Sequence, residues 1–303
     1  RRNSQFFKGR DTGDRCLHNS QIILIQFSLN LIKAMKDDVT ETENRFYCVR
    51  EQIFTTSFPP TNRALNEPDG LLAIGGQVDV NNLLEAYRKG IFPWYSMKNP
   101  VMWWSPKLRP VLRPNAIKIS KSLKKTIKKN RFDLSYDKCF KRIMEHCATN
   151  GERAGNSWIT AKMIEAYVDL HRLGHAHSVE CWRNGELCGG LYGVSIGRVF
   201  YGESMFSSQP DASKVALVDL CSKLNSWGYL VIDCQIPSPH LSRLGAELVE
   251  RTQFEKIISQ LDLPPSVTIK TGGIFEQINE GFQDVFIAMV IGVVLVYLVM
   301  VAK

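Results

Sequence analysis

The chain lacks the short signatures of several large enzyme classes. No HExxH sets two histidines and a carboxylate on one helix face, and no GxxxxGK[ST] loop is present to cradle phosphates. The glycine-rich pyrophosphate loop of an acyl-CoA enzyme is missing too, with Ser242-Arg-Leu-Gly-Ala246 a weak approach to it. There are eight cysteines, yet no two form a CxxC pair. Scattered in this way they read as reduced thiols in a reducing compartment, not as a disulfide framework. His171, His175 and His177 crowd together, but the nearby cysteines do not supply a finger spacing, so no metal is expected.

What is present is an ordinary globular composition, 44% hydrophobic and 22% charged. At 303 residues the chain has room for two domains, or for one with a smaller partner and tails. A net charge of +8 favours polyanions such as nucleic acid or anionic lipid, or describes no more than a basic enzyme surface. Both ends look unlike the middle. Ile22–Ile32 is apolar but broken by Gln26, Ser28 and Asn30, too short to span a bilayer. Basic residues precede it, as in a signal-peptide h-region, but no small-residue cleavage site follows. The other readings are a short helix or translated sequence upstream of Met35. Residues 1–50 are therefore read as an extension outside the fold.

Val285–Ala302 is an unbroken apolar run of about 18 residues, the lower limit for a membrane span. With the amphipathic Ile274–Asp284 before it, it is similar to a transmembrane segment of a resistance-nodulation-division efflux transporter. That implies a tail anchor with membrane contact through 285–302, or a foreign fragment joined by fusion or gene-boundary error. Residues 266–303 are set apart as this tail.

Between the ends, patterning predicts α+β structure. A small α+β region spans 51–115, with a helix over Asn81–Lys89 closed by Gly90. A larger region spans 116–265. Helices are expected at Ser120–Lys129, Phe140–Ala148, Ala161–Leu173 and Ala212–Trp227. Strands are expected at His177–Trp182, Leu187–Gly193, Val199–Phe206 and Tyr229–Gln235. The first two are joined by Arg183-Asn-Gly-Glu186, a strong hairpin signal.

Three patterns carry chemistry. Lys118, Lys121, Lys124, Lys125, Lys128, Lys129 and Arg131 form a basic stripe with no acid among them, while Ile119, Leu123 and Ile127 make one apolar face. The lysines then point outward, either as a solvated face or toward phosphates that would relieve their repulsion. Trp94, Tyr95, Trp103, Trp104 and Trp158 are core residues, or rings borne on Pro/Gly-rich loops that stack on unpaired bases. Finally, Asp233 and Gln235 share one face of an otherwise apolar strand, and Glu203 sits in another. Each acid alone is ordinarily a satisfied structural carboxylate. Together with Gln235 they read as a site.

These pieces carry a resemblance. Phe58-Pro-Pro, Asp69-Gly-Leu-Leu-Ala-Ile-Gly-Gly76, Gly90-Ile-Phe-Pro-Trp-Tyr95 and Trp103-Trp-Ser-Pro106 resemble the N-terminal domain of leucyl/phenylalanyl-tRNA–protein transferases. Trp158-Ile-Thr160, Glu165-Ala-Tyr167, Gly202-Glu-Ser-Met-Phe-Ser207, Asp233-Cys-Gln235 and Leu244-Gly-Ala246 are similar to its GNAT-like acyltransferase domain. The match runs in order from about Phe54 to about Leu263.

The resemblance implies an aminoacyltransferase that moves Leu, Phe or Met from aminoacyl-tRNA to proteins beginning with Lys or Arg. It would act as a cytoplasmic monomer in N-degron degradation, with no cofactor. Glu203 corresponds to the carboxylate at the α-amine of the transferred aminoacyl group, and Gln235 with Asp233 to the pair at the reacting amine and ester, Asp233 taking the proton. Leu191, Phe200, Gly202, Leu220 and Ile232 fall at the aminoacyl pocket. Leu191 and Leu220 stand where Met and Phe are more familiar, so the ranking of Leu, Phe and Met stays open. Trp94, Trp158 and Tyr167 match aromatics near the 3′-terminal adenosine, and Lys121, Lys125, Lys128 and Lys129 the helix that meets the acceptor stem. An acyl-CoA-dependent N-acyltransferase and a non-catalytic, membrane-tethered RNA-binding protein are the other classes the residues allow.

Overall fold

In the computed structural model the described residues are 58–96, 99–149 and 157–259, with the backbone of Tyr47–Val49. Of the expected extension 1–50, Tyr47–Val49 instead pair with Ala73–Gly75 as a strand of a sheet, while the rest of it and the apolar run 285–302 lie outside the described residues. Among the described residues no helix is long and apolar enough to cross a membrane.

The architecture is α+β, as the patterning predicts, with two sheets. The smaller has the order β1 (Tyr47–Val49), β2 (Leu71–Gly75), β4 (Met102–Trp104), β3 (Phe92–Pro93). Helix α1 (Val80–Arg88) leaves β2 and returns to β3. It starts where the Asp79 side chain accepts the Asn82 N–H, satisfying one orphan donor of the first turn. It stops at Gly90, whose φ of +71° suits no side chain well. A Cβ there would also meet Ile258 at 3.0 Å. Trp103 and Trp104 are core residues, 1% and 4% exposed. Their indole N–H groups donate to the Gly75 and Trp94 carbonyls, so neither ring is offered to a ligand.

The larger sheet has the order β11 (Glu247–Glu250), β5 (Leu108–Leu112), β10 (Val231–Asp233), β9 (Val199–Ser207), β8 (Glu186–Ile196), β7 (Ala176–Arg183), β6 (Asp133–Tyr136). Only β9 and β10 pair parallel. Helix α5 (Ala212–Ser226) makes that crossover over one face, with α2 (Lys121–Lys128) beside it. Helices α3 (Phe140–Thr149) and α4 (Ala161–Arg172) cover the other face. Short α6 (Pro239–Arg243) and α7 (Arg251–Ser259) flank β11. Strand β5 joins this sheet, so the sheet boundary falls before Leu108 and not near 115. Asn184 and Gly185 both have positive φ, the geometry of the expected two-residue hairpin turn.

The two helical layers define two cores. On the α3/α4 side lie Tyr192, Val194, Val199, Tyr201 and Val231 with Met163 and Tyr167. On the α5 side lie Leu191, Phe200, Ile232 and Leu112 with Ala216 and Leu220. This is the period-2 alternation of strands with both faces covered.

One expected element is shorter than its pattern suggests. The strand ends at Asp233, and Gln235 lies beyond it at φ +61°. Asp233 and Gln235 are therefore not neighbours on one strand face. Pairing of β10 with β9 stops at Asp233 opposite Tyr201. The Cys234 N–H then bonds the Pro110 carbonyl, so β10 follows β5 while β9 runs on from Gly202 without it. The sheet opens at that point, and the site forms there.

Candidate active site

Gln235 is held in the left-handed region, where a non-glycine residue costs about 1–3 kcal/mol and persists only if its surroundings over-determine it. Its backbone N–H donates to Asp233 Oδ1 at 2.9 Å, closing a tight side-chain turn. Asp233 is itself fixed by Arg109. The guanidinium donates from Nε to Oδ1 at 2.8 Å and from Nη2 to Oδ2 at 2.7 Å, a bidentate pair with 1% and 0% side-chain exposure. Nη1 donates to the Gly90 carbonyl at 2.9 Å. The Phe92 and Phe254 rings lie 4.6 and 4.8 Å from the guanidinium carbon. Arg109 thus ties β5, the end of α1, β3, β10 and α7 together behind Gln235. The motifs and patterns of the sequence do not single it out. Its one signal is a cation inside the apolar strand Leu-Arg-Pro-Val-Leu, which when buried demands an acid partner.

The side chain of Gln235 turns back to β9, where Nε2 donates to Glu203 Oε1 at 2.7 Å. A carboxylate only accepts, so the amide nitrogen must face it and the amide oxygen must face away. Glu203 also receives the Tyr87 hydroxyl on Oε1 at 2.6 Å and the Tyr167 hydroxyl on Oε2 at 3.2 Å. Tyr87 and Tyr167 touch each other through a short hydroxyl–hydroxyl contact. Tyr87 comes from the last turn of α1, whose carbonyl at that residue accepts the Tyr201 hydroxyl at 2.6 Å. Burial raises the Glu203 carboxyl to about 7, against the pull of the Tyr87, Gln235 and Tyr167 hydrogen bonds, and the Asp233 charge adds to the rise. Burial, with the Glu203 charge, raises both phenols well above their ordinary range, so both stay protonated.

The expected pocket residues Leu191, Phe200, Leu220 and Ile232 are each 3% exposed and pack together on the α5 side. Glu203 lies on the opposite side, with Tyr87 and Tyr167. The β9–β10 pairing that separates the two sides ends at the Asp233–Tyr201 pair. Gly202 is the next residue of β9, and a Cβ built there would lie 3.4 Å from Ile232 Cγ2 and 3.5 Å from the Asp233 carbonyl, both ordinary contacts.

The other expected positions divide. Lys121, Lys125 and Lys128 on α2, and Lys129 just after it, are exposed, while Leu123 is buried. The helix docks by Leu123 and by the Thr126 hydroxyl on Asp211, at 3.1 Å. Trp94 and Trp158 are half-buried. Tyr167 differs: it is fully buried, which leaves no ring face accessible, and its hydroxyl donates to Glu203. Gly193-Val-Ser195-Ile-Gly197 fits the GxSxG letters of a nucleophile elbow, yet Ser195 lies within β8 and its hydroxyl bonds that of Tyr229. His171 and His177 are tied to the Ala176 and Gly174 carbonyls and, for His177, to Asp137. Among the described residues no group of three His, Cys, Asp or Glu side chains could hold a metal ion.

Comparison with known proteins agrees with the resemblance carried by the motifs. The family model for leucyl/phenylalanyl-tRNA protein transferase matches residues 111–259, and that for its N-terminal domain matches 76–107. The leucyl/phenylalanyl-tRNA–protein transferase of Hydrogenovibrio crunogenus is 52% identical over 205 residues, 67% of this chain and 80% of the relative. That of Nitrosomonas europaea is 50% identical over 217 residues, 72% of this chain and 92% of the relative. A GCN5-related N-acetyltransferase from Kribbella flavida superimposes with a TM-score of 0.29 at 9% identity, over 53% of this chain and 57% of that one, too loosely to bear on the site. The family matches end at residue 259 and lend no support to the transporter resemblance of the tail. The chain belongs to the leucyl/phenylalanyl-tRNA–protein transferase family.

Proposed function

We propose that this protein moves Leu, Phe or Met from aminoacyl-tRNA to the N-terminal α-amine of proteins beginning with Lys or Arg, marking them for N-degron degradation in the cytoplasm. Family membership supports transfer from charged tRNA to protein. The observation that carries the residue roles is the pinned turn at Gln235, with its amide nitrogen committed to Glu203 and its amide oxygen turned away. That oxygen is an acceptor for an N–H of the incoming amine. Arg109 and Asp233 are positioning residues: they hold the turn and touch no reacting atom. This departs from the expectation that Asp233 takes the proton, because both its oxygens are engaged by a buried cation.

The aminoacyl ester is already activated, so neither ATP nor a cofactor is called for. An α-amine with an ordinary value near 7.7–8.0 is partly neutral at neutral pH, and positioning supplies much of the rate. The aminoacyl side chain passes Gly202 to Leu191, Phe200, Leu220 and Ile232. Trp94 and Trp158 meet the 3′-adenosine, and the exposed lysines of α2 meet phosphates. The test supplies a Lys-starting peptide with Phe-tRNA in one arm and an acyl-CoA in the other. Transfer from tRNA alone, abolished by acetylating the peptide's α-amine, is the expected result. Transfer from acyl-CoA, or tRNA binding with no transfer at all, would overturn the reading.

A further inference from the structure

The contacts around Glu203 do not balance in hydrogens when the carboxyl is ionised. Tyr87, Tyr167 and Glu203 make three mutual oxygen–oxygen contacts: Tyr87 to Oε1, Tyr167 to Oε2, and Tyr87 to Tyr167. Two phenols supply two hydrogens, so one contact has none. One added proton, on Oε2, completes the set. Glu203 then donates to the Tyr167 oxygen, Tyr167 to the Tyr87 oxygen, and Tyr87 to Oε1, while Gln235 Nε2 still donates to Oε1. On protonation every contact of the set carries a hydrogen, so the buried carboxyl can hold a proton without leaving either phenol unmatched.

We propose that Tyr87, Tyr167 and Glu203 form a proton-accepting ring, in which Glu203 takes the proton shed by the attacking α-amine and returns it to the departing ribose oxygen. The inference rests on the transfer reading above. The C–N bond forms and the ester C–O bond breaks. The amine nitrogen loses one proton, the ribose oxygen gains it, and the ring returns to its starting state without any co-reactant. Tyr87 and Tyr167 act through Glu203 and are positioning residues.

The surroundings suit the role. Tyr87 from α1, Tyr167 from α4, and Gln235 and Asp233 from β10 and its turn face Glu203. Tyr192 of β8 stands edge-on to the Tyr167 ring. The Asp233 charge is taken up by Arg109, and among the described residues no Lys, Arg or His pairs with Glu203. A carboxyl that titrates near neutrality is a weak fixed charge and an effective acceptor. Gln235, whose amide binds Glu203 Oε1, would hold the amine beside the ring.

The test is a pH series of single-turnover transfer by the full chain, saturated with Phe-tRNA, to a Lys-starting peptide. Wild-type rate should rise with pH through two deprotonations, those of Glu203 and of the amine. Glu203→Gln should lower the rate on the order of 100-fold and reduce the limiting slope of log rate against pH by one. Tyr87→Phe and Tyr167→Phe should move the Glu203 limb to higher pH, since each removes a hydroxyl that stabilises the carboxylate. An unaltered slope in Glu203→Gln overturns the proposal even where the tyrosine variants fail to fold. Folded tyrosine variants with unmoved limbs overturn the ring. A wild-type chain that transfers nothing from Phe-tRNA overturns the transfer reading itself.

Discussion

Asp233→Asn separates a residue that holds the site from one that takes a proton. The carboxylate accepts from Nε and Nη2 of Arg109 and from the Gln235 N–H. Asparagine can keep its oxygen at the Oδ1 position, retaining Nε and the Gln235 N–H, but its amide nitrogen then faces Nη2, donor against donor. Arg109 is 1% exposed and would be left without its counter-charge. Breaking one partner of such a buried pair costs about 3–5 kcal/mol, a large part of the roughly 5–15 kcal/mol by which a folded domain is stable. Equilibrium urea unfolding should show that loss as a lower midpoint with an unchanged slope. Single-turnover transfer should slow because the turn at Gln235 loosens, but its acidic limb should persist, moved to lower pH because the Asp233 charge no longer raises the Glu203 carboxyl. Replacing both partners with apolar residues, Arg109→Met with Asp233→Leu, should recover most of the stability and leave transfer low. An Asp233→Asn variant as stable as wild type, with its acidic limb abolished, would refute this reasoning and make Asp233 the proton acceptor.

Raising a carboxyl from its ordinary 4.5 to about 7 makes the folded state bind the proton more tightly than the unfolded state. Stability from this group is present below pH 4.5 and is lost as pH rises to 7, by roughly 3 kcal/mol. Between pH 5 and pH 8, Glu203→Gln should therefore gain stability relative to wild type by about 2–3 kcal/mol in paired unfolding curves, and parallel curves would contradict it. Gly202→Ala should fold normally, given only ordinary contacts for the added methyl, and should slow Phe transfer more than Leu transfer; an equal loss with tRNA binding also impaired would signal a global change. Lys125→Ala with Lys128→Ala should weaken Phe-tRNA binding and flatten its dependence on log salt by about one for each phosphate no longer neutralised. An unchanged slope would mean the lysines are only solvated.

The elements legible in the sequence are those whose signals are local. The Asn184-Gly185 turn, the apolar stripe of α2 and the alternation of β9 each follow from period and turn chemistry over a few residues. Glu203, Asp233 and Gln235 are legible as polar residues in apolar runs. Their arrangement is not, because it depends on where β10 stops. Extended patterning carries Tyr229 to Gln235 as one strand, whereas the Arg109–Asp233 pair and the Cys234–Pro110 hydrogen bond end it at Asp233. The roles of Arg109 and Tyr87 depend on partners 124 and 116 residues away, which no window of sequence contains. Tyr167 reads as a stacking ring because an aromatic beside a site looks alike whether its face or its hydroxyl is used. Only burial tells the two apart.

Whether the pinned turn at Gln235 is the transfer centre is decided by the single-turnover rate of Gln235→Ala. The substitution leaves Leu191, Ile232 and the lysines of α2 in place and removes the amide that donates to Glu203. Transfer from Phe-tRNA to a Lys-starting peptide should fall on the order of 100-fold, the scale of one proton-transfer or positioning contribution, with Phe-tRNA affinity near that of wild type. A near wild-type rate in the folded variant would contradict that assignment and place the chemistry elsewhere.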